Sequence, residues 1–119
     1  MSYKVTRKED AYEYEGRGHF NCYCVRLHDP QDVNEGCIVH GITHFLPGGG
    51  SNPAKAEFQM IYHTLSGEMT VTLSDEDGKE EVVVMKPGDS VYFGKGTTRS
   101  LKNNGTETAQ MMTIMVRPQ

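Results

Sequence analysis

The chain lacks several features that would place it in the commoner classes of protein. It has no Trp, and only 36% of its 119 residues are hydrophobic, which suffices for one modest core. Its longest apolar runs, such as Met111 to Val116, are far shorter than a membrane span requires. The N-terminus has no apolar stretch typical of a signal peptide. These absences predict one domain over residues 1–119 with no membrane partner.

Charge and cysteine content exclude two further classes. The net charge is -4 and no basic run is present, so the electrostatic footprint of a nucleic-acid-binding protein is missing. Cys22, Cys24 and Cys37 are odd in number and lack framework spacing, which argues against a disulfide scaffold. We therefore expect a reducing, cytoplasmic location. In a strand, Cys22 and Cys24 would share one face, where small buried thiols are commoner than a soft-metal site.

Short β-type segments separated by turn residues fill the sequence. No long helical periodicity competes with them, and strands at roughly ten-residue spacing indicate an all-β sandwich or barrel. Residues 46–56, with three consecutive glycines, predict a loop, and residues 74–80 predict an Asp-Gly hairpin turn. Thr6 could cap one short helix over Arg7 to Tyr14. The predicted strands are FNCYCVRL, CIVHGITHFL, QMIYHTL, EMTVTL, EEVVVMK, SVYFG, RSLKN and AQMMTIMVR.

Two motifs with fixed spacing stand out among these segments. In the first, Gly48 is followed by five residues, then Ala54-Lys55-Ala56, three residues, Met60, six residues and Gly67. In the second, Gly88 is followed by five residues, then Gly94-Lys95-Gly96, two residues, Arg99, three residues and Asn103. Both spacings fit the signature motifs of the cupins without a gap. Over residues 48–103 the chain therefore resembles a small single-domain cupin, which implies a cupin-type β-barrel of the jelly-roll kind.

The metal-ligand positions of that family hold unusual residues here. In cupins the four ligands lie at the positions that correspond to Ala54, Ala56, Met60 and Arg99. Iron, manganese, nickel and zinc take imidazole, carboxylate or thiolate ligands, and a guanidinium has no lone pair to offer. The resemblance therefore implies the fold, but we expect neither a metal nor another cofactor. A metal-dependent cupin enzyme with displaced ligands is the alternative.

Strand alternation describes the barrel interior that the resemblance implies. If Ala54 and Ala56 point inward like their family counterparts, Met60 and Tyr62 share their face, and Arg99 joins them from the second motif. A guanidinium in a mostly apolar cavity suits a carboxylate or phosphate. We therefore predict a metal-independent protein that binds a small organic anion. The residues expected to contact this ligand are Arg99, Tyr62, Met60, Gln59, Ala54, Ala56 and Phe93.

A reaction in this cavity would need an acid or base beside the guanidinium. The candidates for catalysis are Arg99, Tyr62, His44 and Glu57, and proton transfer by an isomerase or lyase suits them better than metal-dependent oxygenation. Alternatively, Arg99 forms an internal salt bridge with Glu57, or the protein is an accessory dimer without activity. Outward apolar residues such as Ile61 suit a homodimer, because edge strands need protection.

The inward face of residues 37–46 is predicted differently by two arguments. By analogy with cupins, Thr43 and Phe45 face the interior and His44 faces outward. The hydrophobic spacing of Ile38 and Ile42 predicts the opposite face. The answer decides whether His44 can reach the predicted site.

Overall fold

The computed structural model describes residues 2–32 and 36–118. Within them, a single 3-10 turn, Lys8–Asp10, precedes nine strands. No helix in the described residues has the length and apolar character of a membrane span. The strands are β1 (Tyr12–Tyr14), β2 (His19–His28), β3 (Ile38–Lys55), β4 (Gln59–Ser66), β5 (Met69–Ser74), β6 (Glu80–Met85), β7 (Ser90–Phe93), β8 (Thr98–Lys102) and β9 (Ala109–Val116).

The nine strands form one sheet that curls into a nearly closed barrel. Its path runs β6-β5-β8-β3-β9-β4-β7, with β2 paired to β3 and β1 paired to β2. All of these pairings are antiparallel. Because β6 and β7 end the path, the barrel has a seam between them. The predicted all-β, cupin-type barrel is confirmed.

The core fills the inside of the barrel, and β3 shows which residues reach it. Thr43 is 2% exposed and Phe45 is 1% exposed, whereas Ile38 is 53% exposed. The face expected by analogy with cupins is therefore the inward one, and the hydrophobic spacing of this segment is misleading. The buried core cluster comprises Phe45, Ala56, Tyr62, Met69, Val71, Met85, Phe93, Leu101, Ala109 and Met111.

The short N-terminal helix is a 3-10 turn of three residues. Its N-cap position is occupied by Arg7, which makes no capping hydrogen bond through its side chain, so the predicted cap at Thr6 was wrong. The following residues leave the helix because Tyr12–Tyr14 pair with β2. The guanidinium of Arg26 lies 4.1 Å from the centre of the Tyr14 ring. This tertiary contact outweighs a weak local preference for helix.

The glycine-rich loop predicted over residues 46–56 was also wrong, since β3 continues to Lys55. The glycines permit close packing of backbones there: a Cβ at Gly50 would collide with the carbonyl oxygen of Leu101 on β8. A register shift between Ser51 and Ala54 marks a bulge within the extended segment. Gly-rich strands of this kind occur where another backbone approaches closely. The bulged end of β3 then leads into the site described below.

Candidate functional site

The four motif positions singled out above converge at one end of the barrel. Ala54 and Arg99 are cross-strand partners on β3 and β8. One terminal nitrogen of Arg99, Nη1, donates a hydrogen bond of 2.9 Å to the carbonyl oxygen of Ala54, and Nη2 lies 3.8 Å from the sulfur of Met60. Ala56 is buried beside them and bonds through its backbone N–H to Thr97. A guanidinium therefore occupies the centre of this group.

The guanidinium of Arg99 is half-buried and surrounded by neutral groups. Its Nε donates a hydrogen bond of 3.1 Å to the phenol oxygen of Tyr62. Its central carbon lies 5.7 Å from the centre of the Phe93 ring. Among the described residues no carboxylate forms an ion pair with it, and Glu57 is exposed. An uncompensated cation in such a place carries a desolvation cost and can attract an anion.

Two packed aromatic side chains, Tyr62 and Phe93, lie beside the guanidinium of Arg99. Tyr62 on β4 is 3% exposed, and its ring meets the ring of Phe93 edge-to-face with centres 5.0 Å apart. Met60 is the cross-strand partner of Phe93. Aromatic pairs in this geometry are held firmly by their packing. The phenol oxygen of Tyr62 is thereby fixed beside Arg99.

Cross-strand pairing extends this site to the seam of the barrel. Arg99 is opposite Leu73 on β5, and Leu73 is opposite Glu81 on β6. We call Ala54, Arg99, Leu73 and Glu81 the mouth row, because each lies one residue from an end of its strand. Side chains directly across a ladder lie on the same face. The mouth row therefore places four side chains on the inner face at the open end of the barrel.

A cavity of about 660 Å³ adjoins the mouth row. Its walls come from β5, the turn between β5 and β6, β6, β7 and the turn before β8, so it occupies the seam. Leu73 and Phe93 form its inner side, and both neighbour Arg99. This volume falls in the range of small-molecule pockets. The cavity is lined by Leu73, Ser74, Asp75, Lys79, Glu80, Glu81, Tyr92, Phe93, Gly94 and Thr97.

Three of the predicted site residues do not join Arg99. His44 lies on the outer face of β3 and stacks on Tyr23, with ring centres 4.3 Å apart. Gln59 alternates to the outer face of β4, where its oxygen accepts a hydrogen bond of 2.6 Å from Tyr92. Glu57 is exposed before β4. Arg99, Tyr62, Met60, Phe93 and the two alanines are the predicted residues that the fold brings together.

The environment of His44 disfavours the protonated form of its imidazole. Burial lowers the pKa of His44, and the charge of Lys8 lowers it further. Its ring stacking on Tyr23 ties β2 to β3. A structural role at this strand pair accounts for the contacts of His44.

The cysteines are free thiols rather than a reactive pair. Cys22 and Cys24 face inward from β2, opposite Phe45 and Thr43. Burial, followed by the neighbouring Cys24, raises the pKa of the Cys22 thiol to about 11. A thiol that stays protonated at neutral pH is a poor nucleophile and a poor metal ligand. The packing role expected for these residues therefore accounts for Cys22.

Sequence reasoning missed Leu73 and Glu81 as parts of the site. Both belong to correctly predicted strands, but their position depends on the pairing of β6, β5 and β8. The one local signal was alternation in the segment EEVVVM, which places Glu81 on the face of Val83 and Met85. Which face was inward could be inferred only after the register was known.

The matches with known proteins agree with this fold. The cupin-domain profile matches residues 41–115. The chain is a cupin. A Mycobacterium tuberculosis protein named beta-D-galactosidase Rv1717 is 30% identical to this cupin over 115 residues, which cover 97% of this chain and 95% of that protein.

Solved structures similar to this cupin include two bacterial proteins. The polyketide cyclase RemF of Streptomyces resistomycificus has a TM-score of 0.77 and 21% identity, covering 98% of this chain and 82% of that chain. A protein of Thermotoga maritima described as a predicted oxalate decarboxylase has a TM-score of 0.78 and 20% identity, covering 96% and 99% of the two chains. At these identities the likeness shows the fold alone.

The donor set at the family's metal position does not suit a transition metal. The side chains there are two methyl groups, a thioether and a guanidinium, from Ala54, Ala56, Met60 and Arg99. Elsewhere in the described residues no group of three or more His, Cys, Asp or Glu is placed to hold an ion. The fixed positive charge of Arg99 opposes a cation. These four positions therefore offer no imidazole, carboxylate or thiolate donor to a transition metal.

Proposed function

We propose that this cupin binds a small organic anion through Arg99 at the mouth of the barrel. The observation that carries the proposal is the half-buried guanidinium at the centre of the family's ligand positions, whose contacts within the described part of the chain are all with neutral groups. Three of its five N–H donors contact Tyr62, Ala54 and Met60. The two that are left can meet a carboxylate or phosphate, whose charge would compensate the cation.

Tyr62 is the residue best placed to act on a bound anion. Its oxygen accepts a hydrogen bond from Arg99, so its own O–H is available to donate to a ligand at the guanidinium. A donor held in this way can orient a substrate and move a proton to it. We therefore assign any isomerase or lyase activity to Tyr62, with Arg99 binding the substrate anion.

Thermal-shift and calorimetric titrations with acetate, hexanoate and phosphate test this proposal. Ligand at about 100 times its dissociation constant should stabilise the wild type by about 2.7 kcal/mol. Arg99→Met, which keeps a long apolar chain, should abolish this stabilisation, while Arg99→Lys should retain part of it. Equal stabilisation of the wild type and Arg99→Met by these anions would refute the role of Arg99.

Galactoside hydrolysis is a second candidate, which the name of the Mycobacterium tuberculosis relative favours. Glycosidases use two carboxyl groups, separated by about 5–5.5 Å when they retain configuration and about 6.5–9.5 Å when they invert it. The seam cavity presents Asp75, Glu80 and Glu81 beside Tyr92 and Phe93. These residues supply candidate acids together with rings that can stack on a sugar.

A chromogenic nitrophenyl β-D-galactoside separates the two candidates. Hydrolysis by the wild type, with a loss of about 100-fold or more in Glu81→Gln or Glu80→Gln, would support the glycosidase. Hydrolysis that survives both changes would exclude these carboxylates from the reaction. If the wild type does not hydrolyse the galactoside but binds anions, and this binding depends on Arg99, the anion-binding function is supported and the glycosidase is excluded.

We also propose that this cupin forms a homodimer through its outer face. Tyr92, Ile61 and Ile114 follow one another across β7, β4 and β9, and Tyr92 is 63% exposed. A second copy of the chain would cover this apolar row. Light scattering should give twice the chain mass for the wild type and the chain mass for Ile61→Glu.

The free state of all three cysteines suits a reducing, cytoplasmic setting.

A further inference from the structure

We propose that Arg99 and Glu81 together select a dipolar ligand, with its anionic group at Arg99 and an ammonium group at Glu81. This inference rests on the proposed anion site and adds a second contact point and a chemical class. It follows from the mouth row, which carries a cation and a carboxylate on one face without an ion pair between them.

The face of Glu81 is established by its neighbours on β6. Val83 packs against the core, and Met85 is 2% exposed. Because side chains two residues apart share a face of a strand, Glu81 faces the same side as these two residues. Its cross-strand partner Leu73 occupies that side as well. Glu81 also lines the seam cavity.

The spacing of the two charged residues limits the ligand. Glu81 and Arg99 lie on either side of Leu73, two strand spacings apart, which corresponds to about 10 Å between their backbones. The guanidinium extends towards β3 and β4, where it meets Ala54 and Met60. An α-amino acid, whose charges are adjacent, cannot reach both groups. A ligand whose charges are separated by several carbon atoms can.

The cavity lined by Glu81 and Leu73, which adjoins Arg99, has a matching chemical character. Its charged lining comprises three carboxylates, Asp75, Glu80 and Glu81, against one ammonium, Lys79, so the seam side favours a cationic group. Leu73 and Phe93 supply apolar surface next to the guanidinium. A methylene chain resting on these two side chains would lead from the acidic side to Arg99. The ligand class is therefore an ω-amino acid or a similar long zwitterion.

Titration calorimetry with three probes of equal chain length tests the inference. We expect 6-aminohexanoate to bind about two- to fivefold more tightly than hexanoate, since an exposed charge pair contributes on this scale. Hexylamine should bind more weakly than either acid. The α-amino isomer norleucine should show no advantage over hexanoate, because its ammonium group cannot reach Glu81.

Two variants test whether Glu81 causes the tighter binding of 6-aminohexanoate. Glu81→Gln should bind 6-aminohexanoate no more tightly than it binds hexanoate. Glu68→Gln, which changes the net charge equally at the turn before β5, should keep the full preference. Suppose that hexanoate binding needs Arg99. If 6-aminohexanoate then binds no more tightly than hexanoate, or if Glu81→Gln keeps the tighter binding of 6-aminohexanoate, the dipolar-ligand inference is overturned and the anion site stands. Hexanoate binding that does not need Arg99, or no binding of either acid, overturns the anion site as well.

Discussion

The hydrogen bond from Arg99 Nε to the Tyr62 oxygen, 3.1 Å long, crosses the interior of the barrel. Arg99 lies on β8 and Tyr62 on β4, and two strands, β3 and β9, separate them along the sheet. No backbone ladder therefore joins the two residues. Their contact links opposite walls at the mouth and holds the guanidinium in a defined position. A binding group fixed in this way loses little freedom when a ligand arrives.

Removing the phenol oxygen of Tyr62 should destabilise the protein. Tyr62→Phe keeps the ring that packs on Phe93 but leaves the Nε of Arg99 without its acceptor. We expect a loss of about 1–2 kcal/mol in the free energy of unfolding, measured with urea. Tyr92→Phe is the matched control: it removes an exposed hydrogen bond to Gln59 and should cost less than about 0.5 kcal/mol. Equal losses in both variants would show that the interior hydrogen bond contributes no more to stability than the exposed one.

Much of the fold could be predicted from the sequence because β signals are local. Runs of β-branched and aromatic residues located strands such as β5, β6 and β9 closely, and alternation placed Met60 and Tyr62 on one inward face. The inward face of β3 could not be predicted from local β signals alone. The apolar residues of this strand lie on both faces, so their spacing predicted the wrong face, and the analogy with cupins predicted the inward one, where Thr43 and Phe45 are buried. The site residue Glu81 was missed for the same reason, since its relation to Arg99 depends on the register of three strands.

Asn103, the last residue of the second motif, should be a structural residue. Its side-chain nitrogen donates to the carbonyl oxygens of Phe45 and Glu107 at 3.0 and 2.8 Å, and its oxygen accepts from the N–H of Gly105 at 2.9 Å. It is 1% exposed. Asn103→Ala leaves buried backbone groups without partners and should lower the free energy of unfolding by about 2–4 kcal/mol. Asn104→Ala, at the exposed neighbouring position, should change it by about 0.5 kcal/mol or less; a similar loss in both would contradict this role.

A buried hydroxyl without a hydrogen-bond partner predicts a stabilising substitution. Thr64 is fully buried, and its Oγ1 has no partner within the described part of the chain. Thr64→Val keeps the shape and β-branching while removing the unsatisfied group, so we expect unfolding to require up to about 1–2 kcal/mol more. Thr70, whose Oγ1 accepts a bond of 3.1 Å from Asn104, is the control. Thr70→Val should not stabilise the protein, and a lower melting temperature for Thr64→Val would contradict the prediction.

The pH dependence of stability should report on His40. Burial lowers the pKa of His40 below its ordinary value of 6.5, and the charge of His28 lowers it further. The two imidazoles stack with their centres 5.9 Å apart, and Asp32 contacts His28 at 3.2 Å. The folded state therefore holds His40 neutral at a pH where the unfolded chain already binds a proton.

The sign of the effect follows from this difference in proton binding. The contribution of His40 to stability is complete above the unfolded pKa of about 6.5 and is lost as pH falls from there through the folded pKa. His44 has a lowered pKa as well, caused by burial and then by Lys8, and should act in the same direction. Urea unfolding measured from about pH 7.5 down to about pH 5 should show decreasing stability. In His40→Gln the decrease should be smaller, and in the double variant with His44→Gln smaller still; the same slope in all three proteins would mean that neither imidazole is kept neutral by the fold.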